Sequence, residues 1–272
     1  MQAARRIDSA RNPLVKSVAA LRTRRERDRT GTTLVEGLRE TERASAAGLR
    51  VVRLLLAEEL WPAGTETAAE ALCRTPALET AEVVMLSADA FDRISLRQHP
   101  DGVAAVVVSP ARDLEHLVLP NDPLVLVLDG IEKPGNVGAL LRTADAAGVD
   151  GVVVTGDGTD LGNPNVVRAS MGSVFALPVA AASTDEARTW LQTTGLRLVA
   201  TTPHARSAHW EADYRGSVAV ALGSEHAGLD ASWLAAADER VRIPMRARAA
   251  DSLNVSVAGA VVLFEAMRQR QA

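Results

Sequence analysis

The chain has 272 residues, 47% of them hydrophobic, with one cysteine and a formal net charge of −4 at neutral pH. That length can bury a substantial core in one large or two unequal domains. Apolar runs such as LVLVLD at 124–129 and VAVALG at 218–223 fall far short of the roughly 20 residues of a membrane span. Arg5 and Arg6 have no apolar stretch behind them, so no secretory leader is expected, and Cys73 alone supports no disulfide framework. The expected compartment is the cytoplasm.

The charge is unevenly placed. Residues 1–53 carry 13 Lys and Arg against 6 Asp and Glu, and residues 22–29 read RTRRERDR. Such a run suits bidentate phosphate contact; with Glu26 and Asp28 interleaved it suits a solvated helix face equally. In chain order, the periodicity predicts an arginine-rich helix over 12–29, a strand at 33–37, a helix over 38–47 ending at Gly48, and a strand at 51–57. VVML at 83–86, a short helix over 88–94 and GVAAVVV at 102–108 complete a compact α/β unit. The three prolines of SPARDLEHLVLPNDP mark a linker.

Beyond it, apolar strands alternate with helical segments. Strands are predicted at 124–129, 151–155, 174–180, 196–202, 218–223 and 241–245. Helices are predicted over 137–147, 164–171, 184–194, 229–236 and 253–269. This alternation implies a parallel sheet covered on both faces, with a ligand crevice at the strand C-termini. There is no internal repeat.

Several chemistries are poorly supported. GDGTDLG at 156–162 is a partial dinucleotide fingerprint with Leu161 at the third glycine position. No phosphate-binding GxxxxGK[ST] occurs, and the histidines are too scattered for metal-ligand spacing. Ser224 in GSEHAG has no identified base.

Three segments carry more. DGIEKPGNVGALLRTADAAG, Asp129 to Gly148, follows a strand and opens a helix at about Val137. Gly135 and Gly138 allow close backbone approach, and Asn136 can cap the helix. Asn136 and Arg142 are six residues apart and so lie on different faces of a regular helix. A shared site requires Asn136 to sit in the loop before it. ALGSEHAGL, Ala221 to Leu229, ends a strand in a glycine-flanked Glu225. IPMRARAADSLNVSVAGAVVLFEAMR, Ile243 to Arg268, leads from a strand through a loop to Ser252 and Asn254, both good helix caps.

In this order and spacing, the segments resemble the three motifs of the SpoU (TrmH) family of RNA 2′-O-ribose methyltransferases, within the SPOUT superfamily. The family's N-x-G-x-x-x-R stands as Asn136, Gly138 and Arg142, its L-G-[SG]-E-x-x-G as Leu222 to Gly228, and its I-P-M and S-L-N-V-S as Ile243 to Met245 and Ser252 to Ser256. Upstream, NPLVKSVAALRTRRERDRTGTTLVEG and FDRISLRQHPDGVAAVV look like the family's L30e-like RNA-binding domain.

The resemblance implies an L30e-like α/β domain over residues 1–110. It implies an α/β, parallel-sheet catalytic domain over 121–272 with a deep C-terminal trefoil knot. The implied cofactor is S-adenosylmethionine, contacted by Thr201, Leu222, Gly223, Ile243, Met245 and Leu253. Arg142, Asn136, Glu225, Ser252 and Asn254 are the implied catalytic set, with Ser170 of RASMG a further candidate. Arg22, Arg24, Arg25, Arg27 and Arg29 would supply RNA affinity. A homodimer without metal is implied, its active site completed across the subunit interface. The substrate implied is ribosomal RNA, 23S favoured, and antibiotic resistance of the avilamycin or thiostrepton type is one outcome of such methylation. Transfer RNA methylation, and a binding or ribosome-assembly protein without catalysis, stay open as alternatives.

Overall fold

The computed structural model describes residues 5–109, 113–246 and 252–271. They form two compact units, Met1–Pro110 with Asp160–Ala176, and Ala111–Thr159 with Leu177–Ala272. The continuous cut expected from the sequence therefore misses one excursion, in which a segment between two strands of the second unit packs with the first.

The first unit begins with β1 (Arg5–Ile7), α1 (Pro13–Ala20) and α2 (Arg24–Thr30). It continues through β2 (Thr32–Glu36), α3 (Leu38–Ala46), β3 (Val51–Leu56), α4 (Thr65–Cys73), β4 (Glu82–Leu86), α5 (Ala88–Ile94) and β5 (Val103–Val108). Its sheet runs β1-β4-β3-β5-β2, with β5 antiparallel to both neighbours. Ile7, Val15, Val18, Leu34, Leu55, Phe91 and Ile94 fill its core.

The arginine-rich helix expected over 12–29 is two helices. Asn12 caps α1, its Oδ1 accepting from Leu14 N at 2.9 Å, and Pro13 occupies the first turn. The break falls at Arg22–Thr23, because the Leu21 carbonyl accepts from the Arg27 guanidinium at 2.8 Å and Thr23 is extended.

The second unit contains β6 (Leu124–Asp129), α6 (Pro134–Ala146) and β7 (Gly151–Thr155). The excursion follows, carrying α7 (Pro164–Ala169) and α8 (Ser173–Ala176) of the first unit. Then come β8 (Val179–Ala181), α9 (Thr184–Thr193), β9 (Arg197–Thr201), β10 (Ser207–Ala208), β11 (Val218–Leu222), α10 (Ala231–Ala236), β12 (Glu239–Arg242) and α11 (Val255–Gln271).

Every pairing in this sheet, β10-β12-β9-β11-β6-β7-β8, is parallel. The central strands are buried along their whole length except at Asp129, which ends β6, as near-continuous small-aliphatic runs require of a sheet covered on both faces. Among the described residues, no helix is long and apolar enough to cross a membrane.

Two strand expectations fail. VFALPVA is not one strand, because positive φ at Met171 and Gly172 starts a helical turn, α8, and Pro178 then forces its predecessor to extend into β8. A short buried apolar run does not distinguish helix from strand. The strand expected at 241–245 stops at Arg242 because Pro244 has no N–H for the ladder.

The excursion is held by a buried charge pair. Arg27 is 4% exposed and grips Asp160 with Nε at 3.2 Å and Nη2 at 2.5 Å. Thr33 donates to the Gly162 carbonyl, and Arg43 to that of Met171 at 2.7 Å. Arg27 is therefore structural, a correction to its expected role in RNA affinity. Asp160→Ala would leave a guanidinium buried without its counter-charge, and a loss of about 3 kcal/mol is expected in urea unfolding. Arg27→Met is expected to cost less, because Asp160 is 23% exposed and can rehydrate.

Candidate active site

Parallel pairing brings the C-terminal ends of β12, β9, β11, β6 and β7 to one edge of the second unit's sheet, with Thr201 level with Val241 and Leu222 with Leu128. The Thr201 hydroxyl donates to the Ala221 carbonyl at 2.9 Å, tying the ends of β9 and β11 together. After β11 the chain folds back on itself. Ser224 bridges Gly228, whose N–H donates to Ser224 O at 3.0 Å. A Cβ on Gly223 would lie 2.1 Å from Gly228 C and Leu229 N, so only glycine fits.

The turn aims Glu225 at the entrance to α6. Its Oε2 accepts from Glu132 N at 3.1 Å and its Oε1 from Lys133 N at 3.3 Å, satisfying N–H groups at the helix N-terminus. Asn136 donates its Nδ2 to Glu225 Oε1 at 2.6 Å, and its Oδ1 accepts from Asn254 Nδ2 at 3.2 Å. Asn254 in turn caps α11, its Oδ1 accepting from Ser256 N at 2.9 Å. One side chain from each of the three motif segments thus joins a single cluster.

Burial opposes the charged form of Glu225, but the hydrogen bonds from Asn136 and from the Glu132 and Lys133 amides outweigh it and hold the carboxyl below its usual range. A carboxyl depressed in the folded state adds stability above its ordinary, unfolded value of 4.5, and loses it as pH falls through the folded value. The stability gap between the native protein and Glu225→Gln is therefore expected to be widest above that value and to close as pH is lowered below it, read by urea unfolding from pH 6 to pH 3.

Other candidates fall differently. The expectation that Asn136 precedes the helix fails. Lys133 is the N-cap, without a side-chain bond, and Asn136 lies in the first turn. Arg142, on the same helix, is about 120° around and about 9 Å along from it. It is exposed and, among the described residues, has no hydrogen-bond or ion-pair partner. The structure does not bring it to the cluster of its own chain.

Ser252 is exposed and does not cap α11, a place Asn254 takes. Ser170 is fully buried, its hydroxyl donating to Val167 O at 3.0 Å within its own turn. The space around Gly135 is open, so close approach is not what it provides.

Sequence reasoning missed the Glu132 and Lys133 amides, and Asp129, whose Oδ1 accepts from Thr155 at 2.7 Å and Thr184 at 3.1 Å. An acid closing an apolar strand was the signal for Asp129, and backbone donors leave none.

The edge fits a nucleoside cofactor. Leu222 and Gly223 end β11 beside Thr201 at the end of β9, Ile243 follows β12, and the large apolar side chains Met245 and Leu253 are each left 38% exposed. Among the described residues, no group of His, Cys, Asp and Glu could hold a metal ion.

Three motif segments meeting at the C-terminal edge of a parallel sheet are the arrangement expected of an S-adenosylmethionine-dependent RNA methyltransferase, and similarity to known proteins places the chain in that class. A family model described as the SpoU rRNA Methylase family matches residues 123–264, and one for an MRM3-like substrate binding domain matches residues 12–105. The chain belongs to the SpoU rRNA methylase family.

It is 35% identical over 278 residues to the 23S rRNA (uridine(2479)-2'-O)-methyltransferase of Streptomyces viridochromogenes, with 98% of this chain and 93% of that protein covered. It is 34% identical over 263 residues to the 23S rRNA (guanosine(2553)-2'-O)-methyltransferase RlmP of Bacillus subtilis, covering 96% and 98%. The SpoU methyltransferase AviRb from Streptomyces viridochromogenes, in complex with AdoMet, matches with a TM-score of 0.87 and 31% identity, over 96% of this chain and 99% of that one.

Proposed function

We propose that this chain methylates one ribose 2′-hydroxyl of 23S ribosomal RNA in the cytoplasm, its first 110 residues binding RNA and residues 121–272 carrying the chemistry. The observation that carries the reading is the Asn136–Glu225–Asn254 cluster at the strand edge. Thr201, Leu222, Gly223, Ile243, Met245 and Leu253 would hold S-adenosylmethionine, which supplies an electrophilic methyl group when bound.

A ribose hydroxyl is a weak nucleophile, so the protein must orient it and stabilise developing negative charge on its oxygen. Glu225 anchors the start of α6 and, through Asn136 and Asn254, the start of α11, so the two helix mouths hold one geometry. Arg142 positions the target phosphate and lowers the cost of ionising the hydroxyl. Its guanidinium stays protonated and is no general base.

Arg142 makes no hydrogen bond or ion pair to its own chain's cluster among the described residues, which supports a homodimer in which a second copy supplies the arginine. Val257 and Phe264, 49% and 44% exposed on α11, support that helix as the dimer face. A trefoil knot through the segment between β12 and α11 is the family arrangement the reading carries with it; residues 247–251 of that segment lie outside the described residues.

Tritiated methyl transfer to 23S, 16S and transfer RNA from an unmodified strain tests the proposal, with Arg142→Ala as control. Label confined to 23S RNA and absent in the control is the expected result. Label in transfer RNA would redirect the substrate, and none in any RNA despite RNA binding would return the reading to a binding protein. Growth of expressing cells on avilamycin or thiostrepton reads whether the modification protects the ribosome.

A further inference from the structure

The loop between α5 and β5, residues 95–102, is irregular and yet unusually well anchored. Glu36, 4% exposed at the end of β2, accepts from Ser95 Oγ at 2.5 Å and from Leu96 N at 2.7 Å. Asp101 accepts from Leu38 N at 3.0 Å and Val103 N at 3.2 Å. Arg97 reaches inward to Glu40, 1% exposed, at 3.0 Å and to the Glu36 carbonyl at 3.0 Å. Burying two carboxylates under one loop is costly unless their partners are fixed, and here the loop supplies Ser95 and Leu96 to Glu36 and Arg97 to Glu40, which also takes Arg39 of α3 at 3.5 Å.

Two further arginines close on the loop from outside. Arg22 donates to the carbonyls of Arg93 at 3.1 Å and Ser95 at 2.5 Å, and Arg168 of α7 donates to Leu96 O at 2.8 Å. Both are exposed, as is Arg93. A guanidinium has five N–H donors, so each keeps several for an outside acceptor. Two to three residues beyond the carbonyls these arginines hold, Gln98 and His99 are exposed, and among the described residues neither side chain has a hydrogen-bond or ion-pair partner.

We infer that this loop is the RNA-reading element of the first unit, with Gln98 and His99 contacting bases of the substrate and Arg22 and Arg168 holding the phosphates beside them. Phosphate contacts position, whereas base contacts specify. An amide and an imidazole are suited to the edges and faces of unpaired RNA bases, and an apex that does not reorganise on binding loses little entropy in reading them. The inference rests on the proposal that this chain acts on ribosomal RNA, and it moves the expected centre of recognition from α2 to this loop.

The test uses the full chain with Gln98→Ala and His99→Ala combined, and filter binding at pH 8 to 23S rRNA with transfer RNA as competitor. The double variant is expected to lose about tenfold in 23S affinity and most of its preference over transfer RNA, with an unchanged slope of affinity against salt, because no phosphate contact is removed. Arg168→Gln is expected to do the reverse, reducing the salt slope and leaving the preference. Unfolding in urea and S-adenosylmethionine binding by calorimetry should match the native protein for the double variant, which excludes a folding defect. Retained preference in a folded double variant would overturn the inference. Because binding is read without catalysis, a native protein that binds 23S RNA selectively but transfers no methyl would sink the proposed function and still decide this one.

Discussion

Arg142→Ala is expected to lower methyl transfer by about 10²–10³-fold while leaving RNA and S-adenosylmethionine affinities within severalfold, since it gives up one phosphate contact among many and its larger effect falls on charge that develops during reaction. Arg142→Lys, which keeps the charge but loses the planar fork, should retain RNA binding and remain impaired in turnover; full activity in that variant would remove the positioning role. The placement of Arg142 makes a second, sharper demand. If each site joins Asn136 of one copy to Arg142 of another, then Arg142→Ala and Asn136→Ala are each inactive alone. Mixed in equal amounts under exchange, they should recover about one quarter of native activity, because half the dimers then hold one intact site of two. A mixture as inactive as its parts would place the whole site in one chain.

Much of this was legible in the sequence. The parallel sheet announced itself because β6, β7 and β11 are short aliphatic runs each followed by a glycine, Gly130, Gly156 and Gly223, and their predicted bounds agree with the structure to within a residue. The cluster was legible as residue types, since Asn136, Glu225 and Asn254 stand at strand or helix ends in all three motif segments. Its connectivity was not. That a carboxylate 89 residues away would hold the entrance to α6 depends on which strands are neighbours, and periodicity within a strand does not encode that.

The arginine run failed for a related reason. Arg27 differs from Arg24 and Arg25 only in the partner it finds, Asp160, 133 positions along the chain. α4 and β1 were missed because an alanine-rich helix and a three-residue strand carry too little hydrophobic contrast to register.

Gly223→Ala is expected to be the most damaging small change at the cofactor edge. The added methyl would stand 2.1 Å from two backbone atoms of Gly228 and Leu229 and 2.4 Å from the Gly228 carbonyl oxygen, and backbone held by the Ser224–Gly228 bridge cannot swing aside as a side chain could. The turn must open, at a cost of about 2–3 kcal/mol in unfolding free energy. Opening it also withdraws Glu225 from the Glu132 and Lys133 amides, so S-adenosylmethionine affinity should fall by more than tenfold even where the protein stays folded. Gly135→Ala provides the contrast. It lies in the first turn of α6 with nothing within 4 Å of the added methyl, and alanine there should be neutral or add up to about 1 kcal/mol. Parallel urea unfolding and calorimetric titration of the two variants read both effects. Equal stabilities would mean that the turn after β11 yields more easily than its packing implies, and Gly223 would then owe its place to the ligand alone.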